Sequence, residues 1–146
     1  MRPLPGKDVG SLNELGAGLF PEHVGFFVTE VGDRVMRAAL TVQSRHLAPN
    51  GFLHAGVVVT LADTTAGYGS LTHLPEGALG FTTLELKTSF LRTMRDGLLR
   101  CEARAVHLGR TTQVWDATVW ADGDDRPLAL FRCTQLVLYP EAGSAA

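Results

Sequence analysis

One acidic side chain stands alone in a long run of apolar and small residues. Between Ala55 and Ala66 the only ionisable residue is Asp63. A carboxylate in an apolar interior is costly unless something compensates for the water that it loses. Its neighbours three and four positions away on a helix include no basic residue: Val59, Thr60, Ala66 and Gly67. Asp63 is therefore either a structural aspartate or a catalytic carboxylate, and carboxylates without a local partner are concentrated at functional sites.

A second candidate group lies where this run begins. The N–H groups of Ala55 and Gly56 fall in the first turn of the predicted helix, where amides lack partners and the helix dipole is positive. Such amides can bind an oxygen that gains negative charge during a reaction. His54 precedes them and is nine residues from Asp63, which is roughly 13 Å along a helix and on the opposite face. A site that uses both side chains therefore requires two copies of the chain.

The remaining sequence predicts strands around this one long helix. Pro49, Asn50 and Gly51 form a turn-rich loop before it, and a short helix is expected from Ser11, in a Ser-x-x-Glu capping box, toward Leu19. Apolar and polar alternation between turn residues predicts strands near 26–31, 34–42, 82–90, 99–105, 111–121 and 128–139. Short turns between consecutive strands imply antiparallel pairing. The prediction is an α+β fold in which about six antiparallel strands wrap around one central helix.

Composition restricts the class of protein. The 146 residues suit one domain, predicted over 21–140, after an N-terminal segment over 1–20 and before a disordered tail over 141–146. A formal charge of −2 gives no basic excess for nucleic acid or an anionic membrane. The N-terminal residues contain no apolar run of the kind found in signal peptides or anchors, so a cytoplasmic protein is expected. Cys101 and Cys133 are expected to be reduced core residues, and the scattered histidines predict no metal site.

The loop and helix together resemble a known family. The sequence His46-Leu47-x-Pro49-Asn50-Gly51-x-Leu53-His54-x-Gly56, followed by Leu61-Ala62-Asp63-Thr64, is similar to the signature of PaaI-type thioesterases. These enzymes have the hotdog fold and belong to the broad 4-hydroxybenzoyl-CoA thioesterase group. The similarity extends from about residue 26 to residue 138 and includes the segments 86–92 and 106–111. It implies hydrolysis of an acyl-CoA thioester without a metal or a cofactor other than the coenzyme A of the substrate.

The resemblance also implies roles for particular residues. Asp63 would act as general base or nucleophile, with the amides of Ala55 and Gly56 holding the thioester oxygen. His54 would fix the loop or approach the thioester, and Thr83 would lie near the carboxylate. Residues expected to contact the acyl-CoA are Phe90, Leu91, Arg92, His107, Gly109, Arg110 and Thr111. Arg92 and Arg110 could bind the phosphates of coenzyme A. A homodimer with shared sites, often paired into a tetramer, is the expected assembly.

Two departures from the family pattern bear on the function. Members commonly carry Asn or Gln six residues before the motif histidine, where this chain has Ala48, and we hypothesise that Asn50 substitutes. Ala55 replaces a usual glycine but keeps its backbone N–H. The family favours an aryl or phenylacetyl acyl group, with medium-chain acyl groups as the rival. The alternatives are a hotdog dehydratase or hydratase, whose proline-rich histidine motif is missing here, and a non-catalytic acyl-CoA-binding module.

Overall fold

The computed structural model describes residues 4–141, and the predicted tail therefore lies almost wholly outside the described residues. Two short helices begin the chain, α1 (Val9–Leu15) and α2 (Phe20–His23). Two strands and a 3₁₀ turn follow: β1 (Phe26–Gly32), β2 (Val35–Val42) and Ser44–His46. The long helix and the last four strands are α3 (Ala55–Thr72), β3 (Gly80–Phe90), β4 (Gly97–Leu108), β5 (Thr112–Ala121) and β6 (Ala129–Leu138).

The strands form one six-stranded antiparallel sheet in the order β1-β2-β4-β5-β6-β3. Hairpins join β1 to β2, β4 to β5 and β5 to β6, while β3 crosses over to pair with β6. This confirms the predicted α+β class, with one long helix and six antiparallel strands. Because β3 follows α3 and lies at an edge of the sheet, the helix and this edge strand are close neighbours.

Helix α3 packs against the inner face of the sheet and is most deeply buried in its second half. Two glycines make this close approach possible. A Cβ atom on Gly67 would lie 2.8 Å from the Phe81 ring, and one on Gly69 would lie 2.7 Å from the Trp115 ring. Both rings would have to move away if a side chain were present. None of the helices within residues 4–141 has the length and apolar character needed to cross a membrane.

The N-terminal helices differ from the prediction in their boundaries. Helix α1 begins at Val9, because the side chain of Asp8 rather than that of Ser11 caps it and accepts the Ser11 N–H at 2.9 Å. Pro21 does not end this helix; it lies in the first turn of α2, where its missing N–H costs nothing. Leu12 is fully buried in the core. The N-terminal segment therefore contributes to the same core as the sheet.

Strand β3 also departs from the prediction of a half-buried strand. A bulge between Thr83 and Glu85 interrupts its pairing with β6, so the simple alternation of faces does not continue through Leu84. Thr83 faces the helix instead of solvent. Leu84 is 55% exposed and Leu86 is 40% exposed. Strand β3 therefore presents apolar side chains that the rest of residues 4–141 leaves partly exposed.

Both cysteine thiols are expected to be unreactive in the folded protein. Cys101 and Cys133 are buried and unpaired, and burial raises the pKa of each thiol to about 12. The thiolate is the reactive form, so neither side chain should attack a disulfide reagent at neutral pH. Titration with a chromogenic disulfide should detect no thiol in the native protein and two after denaturation. Rapid reaction of a native thiol would contradict this burial.

Candidate active site

The start of α3 is held by the side chain that precedes it. His54 has an extended backbone and caps the helix, and its Nδ1 accepts the Gly56 N–H at 2.9 Å. A neutral imidazole that accepts at Nδ1 carries its proton on Nε2. The predicted Gly56 donor is therefore already used within the chain, whereas the Ala55 N–H meets no acceptor among residues 4–141. The exposed helix start presents one free amide and an imidazole Nε2–H.

The loop before the helix is closed by its own hydrogen bonds. The Ala48 N–H donates to the Phe52 carbonyl at 2.7 Å, and the Gly51 N–H donates to the Ala48 carbonyl at 2.8 Å. Gly51 has φ 81°, a conformation that glycine adopts without strain. The Asn50 side-chain oxygen accepts the Phe52 N–H at 3.1 Å. The side-chain oxygen of Asn50 is therefore already used to stabilise the turn. The hypothesis that Asn50 substitutes for the family's Asn or Gln at position 48 would require this oxygen at the reaction site instead.

Asp63 lies half-buried between α3 and β3. Thr83 Oγ1 donates to Asp63 Oδ1 at 3.4 Å, a long contact that places the hydroxyl beside the carboxyl group. Burial raises the pKa of Asp63, and the Thr83 hydroxyl acts weakly in the opposite direction. The close packing of Gly67 on Phe81, one helical turn further on, holds β3 near enough for this contact. The site therefore contains a carboxyl group that is more basic than an exposed aspartate.

Within one chain the helix start and the carboxyl group are too far apart to act on the same bond. Gly56 and Asp63 are seven residues apart, so they share a face of α3 at a separation of about 10 Å along its axis. A reacting atom must lie about 3 Å from each catalytic group. The two groups can meet at one bond only if the helix start of one copy faces Asp63 of another.

The predicted substrate-contact residues occupy two ends of the sheet. Phe90, Leu91 and Arg92 are exposed where β3 ends. This end lies on the same side as the start of α3, because the carbonyl of nearby Met94 accepts the N–H of Leu53 at 2.8 Å. The other predicted contacts lie at the β4–β5 turn, beside the far end of α3: His107, Gly109, Arg110 and Thr111. The hydroxyl of Tyr139 fixes this turn by donating to the Arg110 carbonyl at 2.6 Å. One chain does not bring the two sets together.

Two features near the site were not predicted. The bulge in β3 has no obvious signal in the sequence, although the unusual glycine at position 67 within a helix indicates close packing. His46 was recognised only as part of the loop motif, and its side chain is 3% exposed. A buried histidine cannot be told from an exposed one when the loop that carries it has no periodic pattern.

Known proteins share this chain's sequence and fold. The thioesterase superfamily model matches residues 50–128. A mutant thioesterase from Pseudomonas aeruginosa superposes with a TM-score of 0.85 at 33% identity, covering 90% of this chain and 94% of that one. The proofreading thioesterase EntH of Cronobacter sakazakii is 30% identical, over 75% of this chain and 80% of its own. The 1,4-dihydroxy-2-naphthoyl-CoA hydrolase of Escherichia coli is 30% identical, over 88% and 93%. The chain therefore belongs to the thioesterase superfamily and is a thioester hydrolase of the hotdog fold.

Proposed function

We propose that this protein hydrolyses an acyl-CoA thioester at a site shared between two copies of the chain. The observation that carries the proposal is the arrangement on α3. The exposed start of the helix carries the free amide of Ala55, and the half-buried carboxyl group of Asp63 lies eight residues later, about 12 Å away along the same helix. Two such helices that face each other in opposite directions would form two equivalent sites, as the two-fold symmetry of a homodimer requires.

In this mechanism the two groups act on opposite sides of the thioester carbonyl. The Ala55 N–H and the Nε2–H of His54 bind the carbonyl oxygen and stabilise the negative charge that develops on it. Asp63 of the facing copy takes a proton from water, whose oxygen attacks the carbonyl carbon. The tetrahedral intermediate then expels the coenzyme A sulfur, which receives the proton from Asp63. In the alternative route Asp63 attacks the carbonyl carbon directly and the coenzyme A thiolate leaves. Water then cleaves the resulting anhydride to the free acid and the Asp63 carboxyl group, and a proton from this water ends on the thiolate.

The exposed edge of the sheet supports the proposed dimer. Strand β3 is an eleven-residue edge strand, and one row of its backbone groups has no partner strand within residues 4–141. Long exposed edges of this kind readily pair with another chain. The apolar side chains exposed along or just beyond it are Leu84, Leu86, Phe90 and Leu91. We propose that β3 of a second copy covers them and that pairs of dimers form the tetramer.

A charge on this edge is expected to separate the copies. The substitution Leu86→Glu would place a carboxylate in the proposed interface, where burial without a partner is costly. We expect a monomer by sedimentation velocity and the loss of most thiol release. The matched control is Leu19→Glu, at an exposed leucine in the loop before α2, which should leave both the mass and the turnover unchanged. A Leu86→Glu dimer with normal turnover would contradict the interface.

For the acyl group we propose an aromatic substrate, with medium-chain acyl groups as the rival. The support is the resemblance to PaaI-type enzymes and the relative whose name specifies a dihydroxynaphthoyl thioester. Contacts to the acyl-CoA are proposed for the residues at both ends of the sheet, because a two-fold axis would bring the β4–β5 turn of one copy toward the helix start of the other. Arg92 and Arg110 would meet the phosphates of coenzyme A. No cofactor beyond coenzyme A itself is required by this scheme.

The test is release of free thiol from a panel of aryl-CoA and alkanoyl-CoA thioesters by the unmodified protein. We expect turnover, with kcat/KM at least tenfold higher for benzoyl-type than for hexanoyl-type substrates. Higher values for alkanoyl substrates would reject the aromatic preference and keep the hydrolase. Tight binding of every thioester without any thiol release would reject hydrolysis and favour an acyl-CoA-binding module. This outcome is worth testing because Ala48 occupies the position where members of the family commonly carry Asn or Gln.

A further inference from the structure

A buried histidine lies directly before the loop that leads to α3. His46 is 3% exposed, although both of its neighbours in the 3₁₀ turn are exposed to solvent. Its Nδ1 accepts the backbone N–H of Gln43 at 3.0 Å, which closes the turn after β2. Burying an imidazole costs hydration, so a position that retains one needs a specific use for its hydrogen bonds.

The main chain of His46 joins the two ends of the loop. Its carbonyl accepts the N–H of His54 at 2.9 Å, and Leu47 and Leu53 form a β-bridge beside this bond. The loop is therefore a closed unit whose first and last residues are directly linked. His54 caps α3 through its Nδ1 and directly precedes Ala55, the residue with the free amide. A shift of the His46 backbone would move the cap and the helix start together.

The ring of His46 is suited to this task only in its neutral form. Accepting the Gln43 N–H requires a lone pair on Nδ1, so the ring proton is on Nε2. That atom is buried, and no residue in 4–141 accepts it with hydrogen-bond geometry. Burial lowers the pKa of His46, the positive charge of Arg45 acts in the same direction, and the Val24 carbonyl acts against both. Burial and the hydrogen bond from the Gln43 N–H therefore both favour the neutral ring.

We propose that His46 is a positioning residue whose Nδ1 bond to the Gln43 N–H fixes the loop and, through it, the His54 cap and the amide that binds the thioester oxygen. This inference rests on the function proposed above. It assigns no contact between His46 and the substrate. A group that acts only by positioning should affect the turnover of bound substrate, because a misplaced donor weakens the transition state while most binding contacts remain.

Three substitutions separate this role from a general structural one. In His46→Leu the acceptor is lost and the size is kept, and we expect kcat to fall roughly tenfold with KM within about twofold. His46→Asn keeps an acceptor near the position of Nδ1 and should restore kcat to within about threefold. His46→Gln places its amide near the position of Nε2 and should resemble His46→Leu. Amide hydrogen exchange at Gln43 and His54 should be fast in the Leu and Gln variants and slow in the Asn variant.

The outcomes separate this inference from the proposed function. If the unmodified protein releases no thiol but amide exchange follows the expected order, the hydrolase proposal fails and the loop assignment stands. If all three variants turn over like the unmodified protein, or if Asn and Gln restore kcat equally, the positioning role is wrong. Equal losses in kcat and in thermal stability for all three variants would also overturn it, because packing alone would then explain the effect.

Discussion

The substitution Asp63→Asn is expected to lower kcat roughly a thousandfold or more, since a positioned base contributes 10²- to 10⁴-fold and a nucleophile is indispensable. KM should change by less than about threefold, because the amide keeps the size of the carboxyl group and its contact with Thr83. Thiol release under saturating substrate measures the effect. The matched control is Asp96→Asn, at an exposed turn between β3 and β4, which should retain full activity. A residual rate above a tenth of normal would exclude Asp63 from the chemistry.

The same substitution should make the protein more stable at neutral pH. Burial raises the pKa of Asp63 above its ordinary value of 3.8, so the folded protein binds this proton more tightly than the unfolded chain. The stabilisation by the protonated form is complete below pH 3.8 and is lost as the pH rises through the raised pKa. The neutral amide has no such loss. We therefore expect a higher Tm for Asp63→Asn than for the unmodified protein at pH 7, with the difference shrinking in acid; a lower Tm at pH 7 would contradict the burial of a charged group.

The substitution Ala55→Pro is expected to have the second-largest effect. Proline removes one backbone N–H and is well tolerated at the first position of a helix. The preceding residue must be extended, and His54 already has φ −69° and ψ 133°. The fold should therefore persist while the free amide is lost. Removing one oxyanion donor costs about 3 kcal/mol, so kcat should fall between roughly a hundredfold and a thousandfold.

Two measurements make the Ala55→Pro result specific. Circular dichroism and Tm should match those of the unmodified protein, because the helix loses no internal hydrogen bond. The control Ala55→Gly keeps the N–H and should remain within about threefold in kcat, apart from the modest cost of glycine in a helix. If Ala55→Gly were as inactive as Ala55→Pro, side-chain packing rather than the amide would explain the loss.

The central helix and the positions of the strands along the chain could be predicted from the sequence, because both depend on local patterns. The order of the strands in the sheet could not, because β3 pairs with the distant β6 and not with β4, the next strand in the chain. The apolar run after Gly51 is long enough for a helix, and turn residues separate strands that alternate in polarity. The isolation of Asp63 within that run was equally visible. Its contact with Thr83 depended on the resemblance, since a hydroxyl on a strand and a carboxyl group on a helix have no local relation.

The remaining features depend on three-dimensional packing and could not be predicted. The bulge at Thr83 changes which face of β3 is covered, and no residue type specifies it. The hydrogen bond from the Gly56 N–H to His54 reduces the expected pair of free amide donors to one. The sequence does not specify whether this amide is bound by the capping side chain or remains free. At α1, both Asp8 and Ser11 are good caps. The contact geometry favours Asp8, whose carboxylate accepts from both the N–H and the hydroxyl of Ser11.

The measurement that tests the shared site most directly mixes two inactive variants, Asp63→Asn and Ala55→Pro, by joint refolding. In a mixed dimer one site receives an intact Asp63 from one copy and an intact helix start from the other. Random pairing makes half of the dimers mixed, each with one of two sites restored, so activity should return to about a quarter of normal. A site within one chain would instead give only the mean of the two residual rates. Recovery near a quarter is the predicted result, and no recovery in a mixture shown to contain mixed dimers would contradict the account.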